Sequence, residues 1–255
     1  MQLIYGIHAV ESLLRTNPKS VQRLLLQQGR EDKRIGALYE LAQNQGVLTE
    51  REPRKSLDAM VAGRHQGVVA ETRDDLTQGD SASANVWQEA DLLRHVENKA
   101  GPVLLLVLDG ITDPHNLGAC LRSADAAGVD AVIVPKDNSA DLNPTSRKVA
   151  CGAAEVVPFV RVTNIARTMK ALQERGVWLY GTAGESEKTI YNSELSGSIA
   201  LVMGAEGDGL RRLTREGCDH LVKLPMAGSV SSLNVSVATG VCLFEIVRQR
   251  LAAKQ

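Results

Sequence analysis

A repeated strand–helix pattern begins at Gly101 and continues almost to the end of the 255-residue chain. Its five strand segments are apolar nearly throughout, which a strand needs when helices cover both faces of its sheet. The pattern therefore predicts an α/β domain built on a parallel sheet. The predicted strands are Val103–Asp109, Ala131–Pro135, Val177–Gly181, Ile199–Gly204 and His220–Pro225, and the predicted helices lie near 117–127, 164–175, 210–217 and 232–250.

The first 75 residues predict a smaller α/β module. Residues 74–86 are polar and rich in Gly, Ser, Asn and Asp, a composition typical of a linker, and a short amphipathic helix at Trp87–Glu97 follows. We therefore expect an N-terminal domain over 1–74, a linker with a lead-in helix over 75–100, and a C-terminal domain over 101–255. The predicted N-terminal helices are His8–Arg15, Glu31–Asn44 and Leu57–Ala62, and the predicted strands are Val21–Gln27, Val47–Arg51 and Gln66–Glu71.

Charge and composition do not by themselves indicate a nucleic-acid-binding protein. The net charge is −1 and aromatic residues make up 3% of the chain, so neither a strongly basic surface nor a base-stacking platform is expected. Basic residues cluster only locally, at 30–34, at 51–55 and at Arg147–Lys148. Each cluster is more often an ordinary solvated surface than a set of phosphate contacts.

Targeting and redox signals favour a cytoplasmic protein. The N-terminal segment has no basic n-region typical of a signal peptide, and the longest apolar run is too short to cross a bilayer. The four cysteines have no C-x-x-C spacing and no neighbouring His pair, so we expect reduced, buried thiols and no metal site. They are Cys120, Cys151, Cys218 and Cys242.

Three predicted strands end in segments rich in glycine and small residues, at 181–184, 204–209 and 226–234. Ligands of open parallel sheets bind at the carboxyl ends of the strands, and glycine allows the backbone to approach a ligand closely. The dinucleotide fingerprint G-x-G-x-x-G and the P-loop are both absent, which argues against an ordinary NAD or ATP protein. The three segments favour one shared, nucleotide-like ligand.

A fourth segment, Asp109–Gly128, follows the first strand of the repeat. Asp113 and Pro114 predict a turn, Asn116 can cap the helix that follows, and Gly128 can end it. Arg122 lies about one turn beyond Gly118, so it can face the same crevice as the strand ends. The small residues of this helix would let another backbone, such as a second subunit, approach closely; they are Gly118, Ala119, Ser123, Ala124, Ala126 and Ala127.

Three long motifs resemble those of the SpoU (TrmH) family of RNA 2'-O-methyltransferases. DGITDPHNLGACLRSADAAG resembles the first, with Asn116 and Arg122; LVMGAEGDGL resembles the second, with Glu206; LPMAGSVSSLNVSVATG resembles the third, with Ser232 and Asn234. YGIHAV and HQGVVA are similar to the ribosomal-protein-like, RNA-binding domain that precedes the catalytic domain in many members. CLRSADAAGVDAVIVPKD and KVACGAAE resemble the subgroup that methylates a guanosine ribose of 23S ribosomal RNA.

The resemblance implies a trefoil-knotted catalytic domain, a homodimer with its sites at the interface, and ribosomal RNA as partner. It also implies that S-adenosylmethionine is bound, in a bent conformation, among the three strand ends. The implied catalytic residues are Arg122, Asn116, Glu206, Ser232 and Asn234. The implied cofactor-binding residues are Thr182, Ala183, Gly184, Gly204, Glu206, Gly207, Leu224, Met226, Ser231, Leu233 and Asn234.

The family assigns removal of the ribose proton to the first-motif arginine, here Arg122. An arginine side chain hardly ever deprotonates, since its pKa lies above about 12. We therefore expect Arg122 to bind the substrate phosphate and to stabilise the developing alkoxide, with proton loss assisted by that phosphate or by water. The alternative is a structural ion pair of Arg122 with Asp125 or Glu206.

Structural interpretations stay open for the other motif residues. Asn116, Ser232 and Asn234 could serve only as helix caps, Glu206 could be a surface charge, and His115 suits a turn better than a catalytic base. Two other functions stay open as well, a tRNA substrate and a non-catalytic ribosome-assembly factor. A nucleotide-dependent oxidoreductase is disfavoured by the missing fingerprint.

Overall fold

The computed structural model describes residues 2–30, 32–61, 63–72 and 85–253. Residues 74–84, most of the predicted linker at 74–86, lie outside the described residues. The chain divides into two compact units, Met1–Asn85 and Val86–Gln255, which are called here the N-terminal and the C-terminal unit.

The N-terminal unit is a four-stranded mixed sheet with helices. Its sheet has the order β1-β4-β2-β3, in which β2 and β3 are parallel and β4 is antiparallel to both β1 and β2. The elements are β1 (Gln2–Tyr5), α1 (Ile7–Thr16), β2 (Val21–Gln27), α2 (Lys33–Asn44), β3 (Leu48–Glu52), α3 (Arg54–Met60) and β4 (Val68–Thr72).

Helix α2 shows how local sequence sets an element in this unit. The Asp32 side chain accepts hydrogen bonds from the backbone N–H groups of Arg34 and Ile35 at 3.1 and 3.2 Å, so it caps the helix. The buried residues Ile35, Leu38 and Ala42 lie on one helical face. The predicted start, Glu31, is outside the described residues.

The C-terminal unit contains a seven-stranded sheet of order β11-β9-β10-β6-β7-β8-β5, and every pair in it is parallel. This confirms the predicted α/β class. The strands are β5 (Val86–Trp87), β6 (Leu104–Asp109), β7 (Ala131–Pro135), β8 (Phe159–Val162), β9 (Trp178–Thr182), β10 (Ile199–Gly204) and β11 (His220–Val222). The helices are α4 (Glu89–Asn98), α5 (Pro114–Ala126), α6 (Pro144–Ala150), α7 (Ile165–Gln173), α8 (Arg212–Glu216) and α9 (Val235–Ala252).

Both faces of this sheet are buried, as the apolar strands predict. Along β6, Leu104 and Leu106 contribute to one hydrophobic core, and Leu105 and Val107 contribute to the other. Side chains of a strand alternate between the faces, so a strand covered on both sides cannot alternate apolar and polar residues. Since these strands are parallel, their carboxyl ends meet along one edge.

Three elements of the C-terminal unit were absent from the predicted pattern, namely β5, α6 and β8. The predicted lead-in helix begins later than expected, at Glu89, because Val86–Trp87 pairs with β8 as an edge strand. The C-terminal unit thus includes Val86 and the lead-in helix α4, whose Leu92 is fully buried.

Two small residues of α5 pack closely within their own chain. A Cβ atom added at Gly118 would lie 2.5 Å from the carbonyl oxygen of Ser146 in α6, and one added at Gly240 of α9 would lie 3.5 Å from Ser123 Oγ. Close approach of α6 and α9 therefore accounts for Gly118 and Ser123 without a second subunit. Ala126 of the same helix is exposed.

All four cysteines are free. Cys120 and Cys242 are buried, and burial raises the pKa of their thiols to about 11 and about 12. Cys151 differs from the expectation because it is exposed. It follows the last residue of α6 with a left-handed backbone (φ 53°), which places it at the surface. Within the described ranges, no helix combines the length and apolarity needed to cross a membrane.

Candidate active site

A cavity of about 430 Å³ opens at the carboxyl ends of β9, β10 and β11. The three strand-end segments singled out in the sequence all contribute to its wall, so the parallel sheet brings them together. Ten of the eleven predicted cofactor-binding residues line it, together with the predicted catalytic residue Ser232. They are Thr182, Ala183, Gly184, Gly204, Glu206, Gly207, Leu224, Met226, Ser231 and Leu233.

Gly204 is required by the chain's own backbone. Ala205 and Gly209 exchange two backbone hydrogen bonds of 3.0 Å, which fold residues 205–209 back over the end of β10. A Cβ atom at Gly204 would come well inside 3.0 Å of the Gly209 and Leu210 backbone, a separation that real Cβ atoms essentially never show. The sequence predicted a close approach to a ligand; the structure shows a close approach to this loop.

An ion pair between a buried carboxylate and a half-exposed arginine anchors the far end of the same loop. Asp109, the last residue of β6, is fully buried. Its carboxylate accepts hydrogen bonds from the backbone N–H of Arg211 at 3.1 Å and from Arg211 Nε at 2.6 Å. A buried carboxylate needs such partners. The sequence placed Asp109 at a strand end but assigned it no role, although an acid closing a buried strand is a signal for one.

Side chains from all three motifs meet in one hydrogen-bonded chain. Asn116 Nδ2 donates to Glu206 Oε2 at 3.4 Å, and Asn234 Nδ2 donates to Asn116 Oδ1 at 3.0 Å. Asn234 Oδ1 in turn accepts from Ser236 N at 3.0 Å and from Ser236 Oγ at 2.6 Å. The donors in this series of hydrogen bonds all point in one direction, toward the carboxylate of Glu206, which lies on the cavity wall.

Arg122 lies elsewhere on α5. Along the helix it is about 9 Å beyond Asn116, and its exposed guanidinium donates a long 3.6 Å hydrogen bond from Nη1 to Cys151 Sγ. It does not line the cavity. Among the described residues it forms no ion pair with Asp125 or Glu206, so the structural ion-pair alternative has no contact to support it.

The helix caps differ in part from those predicted. Asp113, not Asn116, caps α5, because its side chain accepts from the backbone N–H of His115 at 2.9 Å. That bond holds the pKa of the Asp113 carboxyl below its usual value. Asn234 is the cap of α9, whereas Ser232 lies before that helix on the cavity wall. His115 is exposed and contacts Asp113 through its Nδ1 at 3.3 Å.

Charged residues that the sequence did not single out also line the cavity. Glu185 and Arg215 form an ion pair there, between the segment after β9 and α8. Lys223 and Asp208 are further charged members of the wall. Glu185 directly follows a predicted strand-end segment, which was a signal for it. Arg215 is brought to the wall only by the packing of α8.

The lining fits S-adenosylmethionine, the cofactor that the resemblance implies. The volume lies within the range of small-molecule sites, roughly 300–1,000 Å³. Apolar side chains suit the faces of an adenine ring, and carboxylates suit ribose hydroxyls and positive charge. The apolar members are Met203, Leu224, Met226, Leu233 and Val235, and the carboxylates are Glu185, Glu206 and Asp208.

We predict that Gly204→Ala weakens S-adenosylmethionine binding at least tenfold and lowers the free energy of unfolding by about 1–3 kcal/mol, because the new methyl group displaces residues 205–209. Gly184→Ala is the matched control, since Gly184 lines the same cavity with nothing within 4 Å of its Cβ position. Calorimetric titration and chemical denaturation measure the two effects. Equal behaviour of the two variants would contradict this packing argument.

Comparison with known proteins matches both parts of the chain. The SpoU rRNA Methylase family matches residues 103–244, which is more than half of the chain. The substrate-binding domain of RNA 2'-O ribose methyltransferases matches residues 3–75. The matched ranges contain the active-site cavity and the small N-terminal sheet, respectively.

Individual relatives are similar over almost their whole length. The 23S rRNA (guanosine-2'-O-)-methyltransferase RlmB of Pseudomonas aeruginosa is 61% identical over 97% of this chain and 96% of its own, and RlmB of Escherichia coli K12 is 57% identical over 98% and 99%. The SpoU methyltransferase AviRb of Streptomyces viridochromogenes, solved with AdoMet, has a TM-score of 0.74 at 26% identity, covering 98% of this chain and 90% of its own. The chain is a member of the SpoU rRNA methylase family.

Proposed function

We propose that this protein transfers the methyl group of S-adenosylmethionine to the ribose 2'-hydroxyl of a guanosine in 23S ribosomal RNA, in the cytoplasm. The observation that carries the proposal is the meeting of Asn116, Glu206 and Asn234 beside a cavity that fits the cofactor. The names and high identity of the RlmB relatives support ribosomal RNA over tRNA as the substrate.

The cofactor supplies a methyl group carried on a sulfonium centre, and the chain's own residues align the acceptor with it. Transfer requires an in-line arrangement, so much of the rate enhancement comes from positioning. The series of hydrogen bonds from Ser236 through Asn234 and Asn116 fixes the Glu206 carboxylate at the cavity wall. Because the oxygen and the nitrogen of each side-chain amide are both hydrogen-bonded, these groups are oriented before the substrate binds.

Arg122 serves the substrate rather than the cofactor. Its guanidinium is exposed, and its weak contact with Cys151 uses one of its N–H donors. A planar guanidinium binds a phosphate through two parallel hydrogen bonds. In that position it also stabilises negative charge as the 2'-oxygen loses its proton. Phosphate or water accepts the proton, because arginine keeps its own.

A homodimer completes the site in this proposal. Arg122 does not line the cavity of its own chain, and in this proposal it serves the cavity of a second copy. Helix α9, which packs beside α5, carries an exposed apolar face: Val237, Phe244 and Leu251, seven residues apart, are 52%, 51% and 59% exposed. Apolar stripes of this kind are typical of subunit interfaces. We assign the dimer contact to this face.

The N-terminal unit reads the RNA in this proposal, and residues 101–255 perform the chemistry. Strands β2 and β3 are parallel, with Gln27 opposite Glu52, so the basic clusters that follow them lie at one end of the unit. Arg30 Nη1 donates to the carbonyl oxygen of Gln66 at 2.7 Å, which brings the turn at 63–67 to the same end. The basic residues gathered there are Arg30, Lys33, Arg34, Arg51, Arg54, Lys55 and Arg64.

We predict that the wild-type protein transfers labelled methyl to 23S ribosomal RNA and not to tRNA, and that Arg122→Ala slows this transfer at least about a hundredfold while S-adenosylmethionine still binds. Arg122→Lys should restore little, because lysine lacks the planar fork. Single-turnover transfer and calorimetric titration provide the two measurements.

Arg94→Ala is the control for this experiment, since Arg94 is an exposed arginine on α4 that forms an ion pair with Asp91 of the same helix. Transfer by Arg122→Ala at a near-normal rate would defeat the assigned role. Transfer to tRNA in preference to ribosomal RNA would favour the other substrate.

We predict that Phe244→Asp converts a dimer into a monomer, because it places a charge in the centre of the apolar stripe of α9. Leu213→Asp is a matched control, since Leu213 is 58% exposed on α8. Sedimentation at micromolar concentration distinguishes the states. A monomeric wild-type protein would refute the dimer, and a dimeric Phe244→Asp variant would refute this interface.

We predict that Arg34→Gln with Arg64→Gln weakens RNA binding and lowers the slope of log K against log salt by about 0.7–0.9 for each phosphate that is no longer neutralised. Arg15→Gln with Lys19→Gln is the control, because these residues flank the start of β2, about 20 Å from its other end. Binding to an rRNA fragment at several salt concentrations measures both. Equally weakened binding in the two double variants would show that this end has no special role.

A further inference from the structure

Charged side chains lie at two places on the wall of the active-site cavity. Glu206 and Asp208, which follow β10, are both acidic. The cationic members, Arg215 and Lys223, lie with Glu185 at the edge formed by the segment after β9, by α8 and by the end of β11. Apolar side chains come from β10, from β11 and from the segment that leads into α9. The cavity is thus suited to a ligand that combines an apolar part with a group carrying both charges.

Glu185 and Arg215 form an ion pair across this edge, thirty residues apart in sequence. Their side chains are 63% and 39% exposed, and an ion pair this exposed to water contributes little to stability. A bound ligand can therefore replace the pair at little cost. A hydrogen bond from its own backbone N–H, with a further one from Arg215, holds the pKa of the Glu185 carboxyl below its usual value.

We propose that Glu185 and Arg215 form the subsite for the zwitterionic amino-acid group of S-adenosylmethionine, with Arg215 binding the carboxylate and Glu185 the ammonium. The proposal rests on the proposed function, since it takes S-adenosylmethionine as the ligand. Two opposite charges in the protein meet two opposite charges in the ligand, so the ligand replaces one ion pair with two. The guanidinium of Arg215 suits a carboxylate because it can bind both oxygens.

A purely structural role makes a different prediction. If the pair only ties the segment after β9 to α8, breaking it loosens the cavity for every ligand that enters it. If the pair binds the amino-acid group, breaking it affects only ligands that carry that group. S-adenosylhomocysteine keeps the amino-acid group, and 5'-methylthioadenosine lacks it while keeping the adenosine and the sulfur.

The test is calorimetric titration of the full chain with both ligands, in the wild type and in Arg215→Gln and Glu185→Gln. We expect each substitution to weaken S-adenosylhomocysteine binding about tenfold or more, as removal of a charge-assisted hydrogen bond does. Binding of 5'-methylthioadenosine should change less than twofold. Arg212→Gln and Glu216→Gln are the matched controls, because this pair lies on the same helix, is 75% and 56% exposed, and does not line the cavity.

Equally weakened binding of both ligands would overturn the proposal in favour of the structural role, and unchanged binding of S-adenosylhomocysteine would overturn it outright. Neither outcome contradicts the proposed function, since the wild type still binds S-adenosylhomocysteine, the product that the cofactor becomes. Failure of the wild type to bind either ligand would instead refute the proposed function, and this inference with it.

Discussion

The buried carboxylate of Asp109 is the constraint on which the active site depends. Asp109 ends β6, the central strand of the seven-stranded sheet, with no exposure to solvent. A buried carboxylate in that position needs hydrogen-bonding partners. Its partner, Arg211, comes from the chain that leaves β10. Meeting that requirement pulls residues 205–211 across the end of the sheet.

The path of this loop then determines the remaining geometry. The loop can fold against β10 only because Gly204 has no side chain, and its return places Glu206 within reach of Asn116. Asn234 caps α9 with its Oδ1, so its Nδ2 can donate a hydrogen bond to Asn116. One ion pair, one glycine and one helix cap thus bring together residues as far as 118 positions apart.

Much of this fold could be predicted from hydrophobic pattern alone, because strands buried on both faces leave a continuous apolar run. Strand β1 of the N-terminal unit also escaped prediction. The elements of the C-terminal unit that escaped prediction lack that signal. Strand β8 is only four residues long and contains Arg161, β5 has two residues, and α6 has the polar sequence PTSRKVA. The order of the strands is set by packing between distant segments, for which single-sequence periodicity carries no information.

The candidate site shows the same limit in a sharper form. Pattern and resemblance identified the motif residues. Local rules, however, predicted Asn116 as the cap of α5, and the structure shows that Asp113 is the cap. The amide of Asn116 is used by Glu206 and Asn234, contacts that no local rule contains. Small residues on α5 suggested a second subunit, yet α6 and α9 of the same chain lie against Gly118 and Ser123.

The distribution of charge also could not be predicted, because the net charge of the whole sequence does not show where the fold brings basic side chains together. The net charge of −1 gave no reason to expect RNA. Pairing of β2 with β3 and with β4 nevertheless gathers seven basic side chains at one end of the N-terminal unit. Asp32 and Asp58 pair with only some of them, and Glu52 lies at the same end. Phosphate attraction falls off within about a Debye length, roughly 8–10 Å. A polyanion approaching that end responds to the local cluster, so the distribution of charge, which the fold determines, decides binding where the total does not.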